Sequence, residues 1–136
     1  DIGVYLHWNG GRDSVEGFLT YCKIKGYRPP EYDNYGWAFL CTTIGNFFGQ
    51  SGLSLGVDIA NKLDCDNWDN GTYIIKDWKI VDRLYKHRRE QEVYPFMDML
   101  LSIDEKQPEP LGEDAIKAAL EKIKQEETAD DDSAAS

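Results

Sequence analysis

Residues 3–22 read GVYLHWNGGRDSVEGFLTYC, and this stretch decides the fold class. Residues 3–8 alternate and are rich in β-formers, the pattern of a strand. Asn9-Gly10-Gly11 then breaks the chain. Asp13 suits a helix N-cap, with Glu16 three residues on, the spacing of a capping box. Val15, Phe18, Leu19 and Cys22 follow at i, i+3, i+4 and i+7 and form one apolar helix face. Gly26 suits the position just past the helix end, where a left-handed backbone is needed. The first unit is therefore strand, glycine turn, helix.

Working outward, residues 27–34 contain Pro29-Pro30 and read as a loop. A second helix is predicted from about 35 to 48. Its apolar face is Trp37, Leu40, Cys41, Ile44, Phe47 and Phe48, and Gly49 closes it. As the most hydrophobic helix, it is placed at the centre of the core. Leu53, Leu55, Val57 and Ile59 alternate as in a second strand. Residues 64–71 are polar and turn-rich, and Asn70-Gly71 is a hairpin signal. Residues 72–75 and 79–84 read as strands around Lys76-Asp77-Trp78, which predicts an antiparallel meander. Residues 85–94 are charged and ambiguous. Pro95 opens a helix with Phe96, Met99, Leu100 and Ile103 on one face. Residues 107–112 read as a linker. Residues 113–127 read as a weak helix with a thin stripe of Ile116, Leu120 and Ile123, and residues 128–136 as disordered. The expected fold is α+β: a small antiparallel sheet packed against two to three helices, with a flexible acidic C-terminal tail. The compact domain is expected at 1–104, and 105–136 as acidic linker, weak helix and disordered tail.

A chain of 136 residues suits one domain. Its net charge of −10 is unevenly placed. Residues 1–102 hold 14 acids and 11 bases, whereas residues 103–136 hold 11 acids and 4 bases. The body is close to neutral and the tail carries most of the charge. That distribution argues against DNA, RNA or an anionic membrane as a direct partner, since each favours a basic face. It also weakens the reading of a nucleic-acid mimic, which needs acids arrayed on a rigid body. No apolar run approaches the ~18–20 residues that span a bilayer, and no signal-peptide pattern is seen. Cys22, Cys41 and Cys65 are odd in number and irregularly spaced, which is not a disulfide framework. A reducing cytoplasm is the expected compartment.

The sharpest motif is Asn9-Gly10-Gly11-Arg12-Asp13-Ser14, between a strand and a helix. Backbone amides of a glycine turn, with the positive end of a helix, can hold a phosphate. Arg12 can add a charge-assisted contact. The stretch resembles the S-G-G-x-D-S loop of PP-loop ATP pyrophosphatases, with Asn9 in place of the first Ser. The likeness covers six residues. Beyond Ser14 the chain departs from the alternating strands and helices of those enzymes, with a second helix and a meander in their place. A tight turn with an Asp cap is the simpler reading. Asp64, Asp66, Asp69 and Asn70-Gly71 resemble a calcium loop, but Trp68 takes a ligand position. A solvated turn is favoured there. His7 and His87 have no zinc-ligand spacing with the cysteines and no Cys–His catalytic signature. Lys86-His87-Arg88-Arg89 reads as a solvated basic face. Tyr27, Tyr32 and Tyr35 cluster around the proline loop, and tyrosine is favoured at protein interfaces.

Residues 3–10 (GVYLHWNG) also resemble a group of small uncharacterised phage and mobile-element proteins of Gram-positive and gut bacteria, which begin G-x-Y-x-H-W-[DN]-G. The likeness continues through Tyr35-Gly36-Trp37, Ile44-Gly45-Asn46-Phe47-Phe48-Gly49 and residues 69–75. It implies an accessory protein made inside a bacterial cell, a setting in which such proteins often inhibit host defences. The expectation is a non-catalytic protein with no cofactor and no metal, which occupies a protein partner. Its surface is expected at Tyr27, Tyr32 and Tyr35 together with His7, with electrostatic help from the acidic tail. The alternative is binding of a nucleotide or phosphorylated small molecule, to sequester it or to act on it, at Asn9, Gly10, Gly11, Arg12, Asp13 and Ser14.

Overall fold

The computed structural model describes residues 2–49, 55–63, 71–84 and 94–135, with side chains through Ala129. Expectations for Leu53, Cys65, residues 64–70 and the run 86–89 with His87 lie outside the described residues. Strand β1 (Ile2–Leu6) leads into helix α1 (Arg12–Ile24) and then α2 (Tyr35–Phe47). Strand β2 (Leu55–Ile59) runs into a single 3-10 turn at Ala60–Lys62. Strands β3 (Thr72–Lys76) and β4 (Lys79–Leu84) precede helices α3 (Phe96–Glu105) and α4 (Glu113–Ala135). The class is α+β, as the alternation and helical periodicities predict.

The strand pairing differs from the expected meander. β2 pairs antiparallel with β1, and β3 with β4, giving two separate two-stranded sheets among the described residues. In the first, Val4 lies opposite Val57 and Leu6 opposite Leu55. Directly opposed residues share a face, so Val4, Leu6 and Leu55 pack together on the helical core. That shared apolar face favours the long-range partner over the sequential one.

The helix at the centre is α1, not the more hydrophobic α2. It packs against α2, α3, α4 and β4, burying Phe18, Leu19, Tyr21 and Cys22. Gly17 explains why. A Cβ there would lie 2.9 Å from Met99 Cγ and 3.3 Å from Ile103 Cδ1, so the missing side chain lets α3 close on α1. Met99, Leu100 and Ile103 are buried by that approach. The Phe18 and Phe47 rings meet edge-on at 5.3 Å and join α1 to α2. The expected Asp13 cap does not form. Gly11, in extended backbone, is the N-cap, and its carbonyl already accepts from Val15 N–H at 3.0 Å. Asp13 therefore falls inside the first turn, and Glu16 accepts from Arg12 Nε at 2.9 Å instead of closing a capping box. At the other end Gly26, at φ +75, closes α1. Tyr27 N–H reaches Cys22 O and Gly26 N–H reaches Lys23 O, the paired bonds of a Schellman motif.

Packing does not stop at residue 104. The Asp104 side chain, 3% exposed, accepts from Tyr21 Oη at 2.7 Å, Leu111 N–H at 2.8 Å and Gly112 N–H at 2.9 Å. Gln107 donates to the carbonyls of Thr43 and Ile103, both at 3.1 Å, and accepts from Asn46 Nδ2 at 2.9 Å. The expected linker is thus clasped to α1, α2 and α3. It delivers α4 so that Ile116 and Leu120 join the same core cluster. The helix then runs to Ala135, past the expected end at 127 and through residues expected to be disordered. Docking at 116 and 120 supplies the costly nucleus, and the Ala-, Glu- and Lys-rich continuation propagates from it. Lys79 Nζ meets Glu127 Oε1 at 2.9 Å, which brings α4 to β4.

Burial by itself would raise the Asp104 carboxyl, but the two amides, the Tyr21 hydroxyl and the charge of Lys25 outweigh it and hold its pKa below the usual carboxylate value. Burial and the Asp104 carboxylate push the Tyr21 hydroxyl far up, so it stays a donor. A carboxyl lowered on folding stabilises fully above its unfolded pKa of about 3.9. That contribution is lost as pH falls through the folded pKa. Denaturant titrations should therefore show an acid limb below about pH 4 that Asp104→Asn flattens; parallel limbs in parent and variant would rule the clamp out. A second outcome concerns Gly36 in the first turn of α2. A Cβ there would lie 2.4 Å from Pro30 N and 2.6 Å from Pro29 C, both backbone atoms. Gly36→Ala should cost about 3 kcal/mol in chemical denaturation, and an unchanged midpoint would contradict this packing.

Candidate functional site

The glycine turn at 9–14 is built, but its polar groups are largely engaged. Asn9, at φ +58, donates from Nδ2 to Ser14 Oγ at 3.3 Å. Ser14 is buried and its hydroxyl donates to Met99 Sδ at 3.8 Å. Gly11 is buried as well. Arg12 is held by Glu16, and the Asp13 carboxylate sits in the first turn of α1. A helix N-terminus favours negative charge, and here the chain brings its own. Gly10 is half-buried beside these groups. The turn joins β1 to α1, and its side chains bond chiefly to one another and to α3.

His7 and Trp8 lie beyond the end of β1. The alternation places Trp8 on the core face with Val4 and Leu6. The strand ends at Leu6, however, and Trp8 is 61% exposed. Its ring meets His7 edge-on at 4.9 Å, and Tyr5 Oη lies 3.5 Å from His7 Nδ1. Cys22 is buried, donates to Thr43 Oγ1 at 3.9 Å, and has its thiol pushed up to about 12 by burial, with a smaller raising contribution from Cys41 against a lowering one from Thr43. Burial also raises Cys41. Both thiols are therefore protonated at neutral pH, and a protonated thiol is a poor nucleophile or metal ligand. Among the described residues no group of three His, Cys, Asp or Glu is placed to hold a metal ion.

The proline loop is the more elaborate surface. Tyr27 begins it and faces inward: it is half-buried, its ring stacks on Phe39 at 4.2 Å and 9°, and burial raises its hydroxyl pKa. Its carbonyl accepts from Trp78 Nε1 at 2.8 Å. Tyr32 N–H closes a turn onto Pro29 O at 3.0 Å. Asp33 takes Tyr35 N–H at 3.1 Å on one oxygen and Arg28 at 3.3 Å on the other. The Arg28 guanidinium also sits 5.2 Å from the centre of the Tyr35 ring, a cation–π contact. Glu31 Oε2 accepts from Asp77 N–H at 2.9 Å. On this framework Tyr32 is 76% exposed and Tyr35 61% exposed.

The expected surface therefore divides. Tyr32 and Tyr35 stand exposed at the proline loop, and Tyr27 packs inward on Phe39. His7 precedes α1 in the chain and contacts Tyr5 and Trp8, whereas the loop follows that helix. Sequence reasoning missed Arg28, Glu31, Asp77 and Trp78. One signal was available: a two-residue turn carrying Asp-Trp where Asn-Gly is the rule. Asp77 and Trp78 adopt φ +50 and +60, and such strain, of order 1–3 kcal/mol per residue, persists only where its surroundings over-determine it.

Among the described residues no helix is long and apolar enough to cross a membrane. In comparisons with known proteins, the chain matches no family model, no curated protein and no solved structure.

Proposed function

We propose that this chain is a non-catalytic binding protein that works by occupying a protein partner. The contact surface in this reading is Tyr32, Tyr35 and the Arg28 guanidinium. One observation carries it: two large aromatic side chains stand in solvent on a loop whose backbone is held from behind by Asp33, Glu31, Trp78 and the Tyr27–Phe39 stack. Tyr35 leans on Phe39, with ring centres 6.4 Å apart, and on Arg28, yet stays 61% exposed, and Tyr32 is 76% exposed. Tyrosine and arginine are the residues that anchor interfaces, offering large contact area with few rotatable bonds. A loop already ordered in the free protein avoids part of the entropic cost of association. The phage-protein resemblance points to a host protein of a bacterial cell as the partner class, with defence proteins first. The acids of α4 serve as a secondary electrostatic element.

The test is affinity capture from a bacterial host lysate with parent protein and a Tyr32→Ala/Tyr35→Ala variant. Because both side chains are exposed, each substitution should change stability by no more than about 0.5 kcal/mol. Each should weaken a genuine partner by about 2 kcal/mol, roughly thirtyfold. Undiminished capture by a folded double variant would sink the tyrosine surface. The glycine turn is tested separately: millimolar ATP or cyclic nucleotides should leave the melting temperature unchanged, since only ligands that bind the folded state raise it. A rise that Gly11→Val abolishes would move the site to residues 9–14.

A further inference from the structure

We propose that the β3–β4 turn is a plug that holds the tyrosine loop in its presenting shape, so that hairpin and recognition surface move as one unit. Its purpose rests on the proposed binding role of the tyrosines; its geometry stands independently. Lys76 and Lys79 are paired across a two-residue loop, Asp77-Trp78. Both loop residues have positive φ, as a type I′ turn requires. Glycine or asparagine meets that requirement at little cost, and a bulky tryptophan does not. Closing a hairpin therefore does not explain Trp78, whereas what its side chain reaches does.

Three contacts leave this turn: two end in the loop and one in the last turn of α1. The indole of Trp78 is buried to 3% exposure, and its Nε1–H donates to Tyr27 O, at the first residue of the loop. The backbone N–H of Asp77 donates to Glu31, the residue directly before Tyr32. The Asp77 carboxylate meets Lys23 Nζ at 3.1 Å, in the last turn of α1. The left-handed backbone is what aims the indole and the amide in these directions. Trp78 and Glu31 are accordingly positioning residues: they touch no partner, and they act on Tyr32 and Tyr35 through the backbone between them.

Amide hydrogen exchange on the unliganded full chain tests this without any partner. Tyr32 N–H and Tyr35 N–H are both hydrogen-bonded inside the loop, so they report its closure. Trp78→Phe keeps an aromatic ring and removes the donor. Glu31→Ala removes the acceptor, while Glu31→Gln keeps an oxygen that can accept from Asp77 N–H. Trp78→Phe and Glu31→Ala should each speed exchange at Tyr32 and Tyr35 by about fivefold, the worth of one net hydrogen bond. Exchange in α1 and α3 should stay at parent rates, and Glu31→Gln should stay close to parent throughout. Unchanged loop exchange in both variants would overturn the proposal. So would equal acceleration of every amide, or Glu31→Gln behaving like Glu31→Ala. Because no partner is present, failure here leaves the tyrosine capture result standing, and failed capture leaves this one standing.

Discussion

Helix α1 lies closest to α3 at a residue with no side chain, Gly17. A Cβ at Gly17 would press into the Met99 and Ile103 side chains, which would have to shift. Most of the described structure is hung from that contact. It buries Phe18, Met99, Leu100 and Ile103 in one cluster, onto which α2, the β1–β2 ribbon and α4 then pack. It also fixes both ends of α1, and therefore the two surfaces the chain presents: the glycine turn with His7 and Trp8 at one end, and the tyrosine loop at the other. A glycine inside a helix is unfavourable by roughly 1 kcal/mol relative to alanine. Here it sits where Met99 and Ile103 are buried, and burial of apolar area opposes that cost.

The second constraint is electrostatic. Asp104 is a buried acid with three donors around it, contributed by α1 and by the segment that leads into α4. A buried carboxylate without partners would be strongly destabilising. Fully satisfied, it does what an apolar residue at this position could not, because it specifies where the backbone at residues 111 and 112 must lie. The acidic C-terminal region is thereby joined to a near-neutral body. The separation of charge seen in the sequence is real, but it does not coincide with a separation of structure.

Much of the framework was legible from spacing alone. The faces of α1 and α3 come from helical repeats at 15–22 and 99–103, while Phe96, expected on the same α3 face, is exposed. Gly26 and Gly49 close their helices where a left-handed residue is needed. The candidate site was legible only in part. Tyr32 and Tyr35 stand out beside two prolines, and a cluster of tyrosines in a loop is a readable signal. That Tyr27 faces inward is not readable, because its position depends on Phe39 twelve residues away and on Trp78 in another element.

The sequence by itself determined the local order of strands and helices, the apolar faces of α1, α2 and α3, and the unequal distribution of charge. Each of these is a property of residues within a few positions of one another, where backbone geometry and hydrophobic periodicity act directly. Only the tertiary structure decided that β2 pairs with β1, that α1 rather than α2 lies at the centre, that Asp104 ties α4 to the core, and that Trp78 reaches the tyrosine loop. Those contacts join residues tens of positions apart. They are selected by shape and by the need to satisfy buried polar groups, neither of which leaves a periodic trace along the chain.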